Sequence, residues 1–264
     1  MKIKYLIFPV SIIAGFFDPL VNAQSVWNDG GLDASWTNST NWTGGIPTSL
    51  SNVTIGVTPT ANTITLDTST QTNSIASLTF GNGIGIAEIT PLGVETLSVS
   101  GNITNSGSTQ QKFSIALTAS GSAAWSGPLL YANTVDIGAN SITLSGVNNF
   151  TGSSIGFTIT NASTYGKFLG SFSSSITNAT TVNISSGSYV FLAGDTFDFT
   201  TSSFGTANIG TLPTLTGGMT WNTTSFISNG VLSVVAAIPE PSTYGALFGA
   251  AVIGFGVWRK RRKA

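Results

Sequence analysis

Leu97-Ser98-Val99-Ser100-Gly101-Asn102 and Ile142-Thr143-Leu144-Ser145-Gly146-Val147-Asn148 share one phrase: apolar and hydroxyl residues alternate, then comes Ser-Gly, then an amide. The alternation puts apolar side chains on one face of an extended chain, and Ser-Gly ends the run in a turn. Runs of the same kind lie on both sides. They include Val53-Thr54-Ile55, Thr63-Ile64-Thr65-Leu66, Ser77-Leu78-Thr79-Phe80, Phe157-Thr158-Ile159 and Val231-Leu232-Ser233-Val234. Thr, Val and Ile favour strands, Gly and Asn favour turns, and no helical period stands out between Gln24 and Ile238. The body is therefore expected to be all-β. Many short strands at this spacing fit two architectures. The loose repeat and the small residues at the strand ends favour a right-handed parallel β-helix, or β-solenoid, whose units bury their core only by stacking. A β-sandwich is the alternative.

Composition narrows the chemistry. Between Gln24 and Ile238 there are two lysines, Lys112 and Lys167, no arginine and eight acids, a net charge of −6. Nucleic-acid binding needs phosphate-neutralising cations, so that class is set aside. The chain has no cysteine and no histidine. Disulfides, thiolate zinc sites, cysteine nucleophiles and imidazole-dependent triads are excluded. No cofactor or metal site is expected. With 41% hydrophobic residues and little charge, the body has the composition of a folded domain.

The two ends read as export signals. Met1 to Ala23 has a basic start, an apolar run from Tyr5 to Phe17, and Val21-Asn22-Ala23 before Gln24, the layout of a secretory signal peptide cut between Ala23 and Gln24. At the other end, Pro239-Glu240-Pro241 precedes an uncharged stretch from Tyr244 to Trp258 and the cations Arg259, Lys260, Arg261, Arg262 and Lys263. Those fifteen apolar and small residues are expected to form a single transmembrane helix, and the basic cluster to stop it on the cytoplasmic side. At 1.5 Å per residue they reach only about 22 Å, against a hydrocarbon core of roughly 30 Å.

Motif, helix and basic cluster together resemble the PEP-CTERM sorting tail of exported bacterial proteins. The resemblance implies Sec-dependent export, transit held at the inner membrane, and removal of the tail by an exosortase-type membrane protease at the Pro-Glu-Pro motif. It also implies a final place at the cell surface or outside the cell. The expected organisation is signal peptide 1–23, β-rich body 24–238 and sorting segment 239–264.

Parts of the body resemble secreted proteins with autotransporter-associated β-strand repeats. Leu144-Ser145-Gly146-Val147-Asn148-Asn149-Phe150-Thr151-Gly152 is similar to that repeat. The Trp27, Trp36 and Trp42 region and the segments from Gly187 to Asp198 and from Leu212 to Leu232 are similar to the opening and close of such proteins.

Some constellations carry two readings. Trp27, Trp36 and Trp42 can offer indole faces to a glycan, or seal the first coil as the cap that a repeat fold requires; the cap is preferred. Asp195 and Asp198 look like a carboxylate pair, but three residues apart on a strand they face opposite sides, so a turn is preferred. Asp29, Asp33 and Asn28 supply oxygen ligands without an EF-hand pattern. The leading expectation is a non-enzymatic, exported surface or extracellular-matrix structural protein associated with exopolysaccharide. The alternative is a carbohydrate-binding or polysaccharide-degrading β-helix protein.

Overall fold

Strands with apolar residues two apart need a surface to bury them on, and here each strand finds it on the next turn of the chain. The computed structural model describes residues 23–67, 73–151, 154–170, 172–176, 180–237 and 241–262. It is mostly β. One ladder of parallel strands stacks Gln24–Trp27, Asn52–Ile55, Ser77–Phe80, Ile103–Asn105, Ala123–Ser126, the first half of Ser141–Phe150, and Lys167–Leu169. A second stacks Thr63–Leu66, Glu88–Pro91, Gln111–Phe113, Leu129–Tyr131, the second half of Ser141–Phe150, and Phe172–Ile176. A third runs from Ser74–Ile75 through Thr96–Val99, Ala116–Ala119, Val135–Asp136, Ser154–Ile159 and Thr181–Ser186 to Asn208–Ile209.

The chain visits the ladders in rotation, so each circuit is one coil laid on the last. The ten-residue strand Ser141–Phe150 belongs to two ladders and joins them into one curled 13-stranded sheet; the third ladder is a 7-stranded sheet. Parallel pairing throughout the ladders removes the β-sandwich alternative, whose sheets are antiparallel. Coil length is uneven. Asn52 pairs with Ser77, 25 positions on, whereas Leu117 pairs with Val135 only 18 positions on.

The core fills the inside of the coils. Val53, Ile55, Leu78, Phe80, Ile103, Trp125 and Leu144 of the first ladder are essentially inaccessible. Register partners Phe113, Tyr131 and Phe150 stack through the middle, with centroids 5.6 and 4.6 Å apart and planes 10° and 21° from parallel. Tyr131 is fully buried, which pushes its phenol well above the usual range. Its hydroxyl donates to Asn148 Oδ1 at 3.2 Å, and Asn148 Nδ2 donates to the Ser145 carbonyl at 3.0 Å.

The corner between the first two ladders depends on glycine. Gly127 has φ +92° and lies on Asn105; a Cβ at Gly127 would stand 2.9 Å from the Asn105 Cβ and closer still to its carbonyl. Asn105 is itself buried and donates through Nδ2 to the Thr109 and Pro128 carbonyls at 2.8 and 2.9 Å.

Antiparallel elements stand at both ends of the β body. At the start, Trp42–Thr43 pairs antiparallel with Gln24–Trp27. At the far end, Thr196–Asp198, Val231–Val235 and Thr220–Asn222 form a three-stranded antiparallel sheet. Phe197, Phe199, Phe204 and Phe226 are buried beneath it.

A helix, Pro241–Arg261, follows the body. Proline suits its first position, where no intrahelical N–H bond is lost. The expected transmembrane helix is corrected here: no helix among the described residues is long and apolar enough to cross a membrane. The uncharged part is short, and Gly245, Gly249, Gly254 and Gly256 dilute its apolar surface. The signal-peptide assignment falls on residues 1–22, outside the described residues; Gln24, at its predicted cut, opens the first strand.

Candidate functional site

The tryptophans do not form a glycan platform. Trp27, Trp36 and Trp42 are 0%, 1% and 5% exposed. They pack edge to face, Trp27 on Trp42 at 5.1 Å and Trp36 on Trp42 at 4.8 Å, and Trp42 Nε1 donates to the Trp36 carbonyl at 2.7 Å. Edge-to-face packing of this kind adds to apolar burial. The indoles face one another and the core, so no ring is open for stacking on a sugar.

The acidic residues around them hold loops. Asp33 accepts from Asn38 Nδ2 and Asn41 Nδ2, both at 2.7 Å, and from the Ser35 amide at 3.1 Å. These bonds, the Asn38 one first, hold its carboxyl below the usual range despite a small opposing effect of desolvation. Asp67 takes the Ser35 hydroxyl at 2.5 Å and the Thr37 amide at 3.1 Å. Asp29 takes both the amide and the hydroxyl of Thr60 through Oδ2. Asp33 and Asn28 thus spend oxygens on N–H donors, and Asp29 does so through Oδ2, its Oδ1 being buried without a hydrogen-bond partner. Among the described residues no group of three His, Cys, Asp or Glu side chains is placed to hold a metal ion.

Asp195 and Asp198 occupy a turn and the strand that follows it. Asp195 Oδ2 accepts from the Tyr189 hydroxyl and the Leu192 amide, each at 2.8 Å, tying the turn that leads into the closing sheet. Asp198 lies on the strand after it, its amide donating to the Tyr165 hydroxyl at 3.1 Å.

An open groove of about 290 Å³ lies on the outer face of the third ladder. Its floor is a register column, Asp136 beside Gly156 beside Asn183. Gly156 has no side chain to fill the gap, and a Cβ there would meet the Asp136 carboxyl at 2.9 Å. Asp136 Oδ1 accepts from the Gly138 amide at 2.9 Å, and Asn183 Oδ1 from the Thr211 amide at 2.9 Å. Thr134 and Ser154 share a hydroxyl–hydroxyl bond of 3.0 Å on one wall. The groove has the size and the few placed polar groups of a small-ligand site. Asp136 is the one carboxylate among its lining residues, whereas glycoside hydrolysis ordinarily takes two. Sequence reasoning missed this site because Asp136 and Asn183 stand 47 positions apart, and only the coil register brings them together.

The sorting residues divide. Pro239, Glu240 and Lys263 lie outside the described residues, and Pro241 opens the C-terminal helix. Near its end Arg259, Arg261 and Arg262 are exposed, with the Arg262 guanidinium 4.2 Å from the Trp258 ring centroid; Lys260 falls on the same last turn.

No curated protein and no solved structure matches the chain. A match is found for the tail: residues 237–262 carry a PEP-CTERM protein-sorting motif.

Proposed function

We propose that this is an exported structural protein of the bacterial surface or extracellular matrix, sorted through its PEP-CTERM segment and processed by an exosortase. The observation that carries the reading is the sorting motif over residues 237–262, directly after the last strand of the β body, Val231–Val235. Sec export through residues 1–23 delivers the body outward. The cations Arg259 to Lys263 hold the tail at the inner membrane, and the Pro-Glu-Pro sequence marks the site of cutting. The body then works by its surface, with no catalytic step: a right-handed parallel β-helix, the hand favoured for parallel crossovers, that presents hydroxyls and amides to exopolysaccharide.

The test is fractionation of a host producing the chain with an epitope in the body, with and without exosortase. The expected result is a shortened product outside the inner membrane only when exosortase is present. Replacing Pro239, Glu240 and Pro241 by alanine should trap the full-length chain. Equal shortening in both hosts would refute the reading.

The groove beside Asp136 and Asn183 favours a second reading, in which the body is a carbohydrate-binding protein. Titration with neutral oligosaccharides should then give binding that Gly156→Val abolishes, and no saturable binding at all would remove it.

A further inference from the structure

The outer face of the first ladder differs from the other two. Thr54, Thr79, Thr104, Ser126 and Ser145 are consecutive register partners on five successive coils. All five are accessible to solvent. Their neighbours two positions back form a second rank, Asn52, Ser77, Asn102, Ala124 and Thr143, in which the Ser77 hydroxyl donates to Asn52 Oδ1 at 2.7 Å and Asn102 Oδ1 accepts from the Ala124 amide at 2.9 Å. Across these five coils neither rank contains a charge or an aromatic ring.

The other faces are built otherwise. The second ladder carries the Lys112–Glu88 ion pair at 2.9 Å, and the third carries Asp136. Their hydroxyls also bond each other, Thr134 with Ser154 at 3.0 Å and Thr158 with Ser185 at 2.9 Å. Among the described residues, no hydrogen bond ties the side-chain hydroxyls of Thr54, Thr79, Thr104, Ser126 and Ser145 to protein.

An exposed hydroxyl without a protein partner bonds to water, so water positions on this face follow the positions of the hydroxyls. The ladder repeats at about 4.8 Å along the stack, and alternate residues on a strand stand about 6.7 Å apart. Five coils therefore carry one hydroxyl rank about 19 Å long, beside a second rank of mixed amide, hydroxyl and methyl groups. It is stiff: the residues between the ranks, Val53, Leu78, Ile103, Trp125 and Leu144, are all buried, and β-branched threonine restricts the hydroxyl at χ1. A charged group would orient water around itself; the first on this face, Lys167, stands on the next coil in register with Ser141, outside both ranks. We infer that this face binds ice, its first hydration layer serving as the lattice on which ice oxygens register.

The experiment is slow partial freezing of a solution of the purified full chain beside a non-binding control protein, followed by assay of both in ice and liquid. The chain is expected in the ice fraction and the control in the liquid. Thr79→Tyr, at the middle of the hydroxyl rank, should drop the chain to the control's level, as should Thr54→Lys, each variant first shown to keep its β circular dichroism. Thr118→Tyr, on the outer face of the third ladder, should leave incorporation unchanged. Exclusion of the unaltered chain from ice overturns the inference. So does retention by both first-ladder variants, or an equal loss in Thr118→Tyr. Binding to microcrystalline cellulose with exclusion from ice would assign the face to a glycan lattice instead, and equally overturns it.

Discussion

Two glycines with the same backbone angle separate local strain from contact between coils. Gly127 has φ +92° and Gly45 has φ +93°. Nothing lies within 4 Å of a Cβ added to Gly45, whereas at Gly127 the Asn105 backbone and side chain are already inside contact distance. Gly45→Ala therefore pays only left-handed strain of about 1–2 kcal/mol, less about 0.4–1 kcal/mol from the lost freedom of the unfolded chain. A net loss of about 1 kcal/mol is expected. Gly127→Ala adds overpacking of about 1–3 kcal/mol. If Asn105 is pushed aside, its bonds to the Thr109 and Pro128 carbonyls go as well, and unpaired buried groups cost about 1–3 kcal/mol. The total should be about 3–7 kcal/mol, at least about 2 kcal/mol beyond the control. Urea unfolding followed by tryptophan fluorescence and far-ultraviolet circular dichroism measures both variants. Agreement between the two within about 0.5 kcal/mol, the scatter ordinary for surface substitutions, would refute the claim that this corner is locked by the coil beneath.

Tyr131→Phe leaves Asn148 Oδ1 without its buried donor, and a stability loss of about 1–3 kcal/mol is expected from chemical unfolding. Trp27→Ala removes a fully buried ring from the opening cap and should cost about 3–5 kcal/mol; oligosaccharides added to the unaltered chain should leave its tryptophan emission unmoved. Acid should weaken the fold in a defined sense. Burial works to raise the Glu88 carboxyl, but the Ser114 hydroxyl and the Lys112 ammonium outweigh it and hold the group below its usual value, as the Asn38, Asn41 and Ser35 bonds do for Asp33. A carboxyl lowered on folding lends stability in full above its unfolded value and loses it as pH falls through the folded one. Melting temperature should therefore fall below about pH 4, and the fall should be shallower in Glu88→Gln; an unchanged profile in that variant would remove the assignment.

Strands were legible in the sequence because their alternation is a local signal. Thr63-Ile64-Thr65-Leu66 and Ser77-Leu78-Thr79-Phe80 fold as read, with Ile64, Leu66, Leu78 and Phe80 inward. The order of stacking was much less legible. The phrase ending in Ser100-Gly101-Asn102 turns from the third ladder into the first, whereas the one ending in Ser145-Gly146-Val147 turns from the first into the second. The two are alike because tight corners select the same residues, not because they occupy one place in a coil. A truer repeat was present in Asn52-Val53-Thr54, Ser77-Leu78-Thr79 and Asn102-Ile103-Thr104, each 25 positions from the last. It fades afterwards because the next coils are shorter, Trp125 standing 22 positions after its partner Ile103 and Ile142 only 19 after Ala123, before the spacing returns to 26 at Phe168. The tail was legible as a motif, since order and charge define it. Its length against a bilayer was a matter of magnitude, and there the helix falls short.

The covered ends of the first ladder carry a consequence for life in a crowd. Parallel rungs expose unused donors and acceptors at their first and last members, and any identical molecule offers a matching edge. Here Trp42–Thr43 pairs with the first member of the first ladder, and Thr200 bridges Phe168 on its last. Neighbouring copies packed densely on a cell would therefore meet the ends of that ladder already occupied, which works against end-to-end fusion along it.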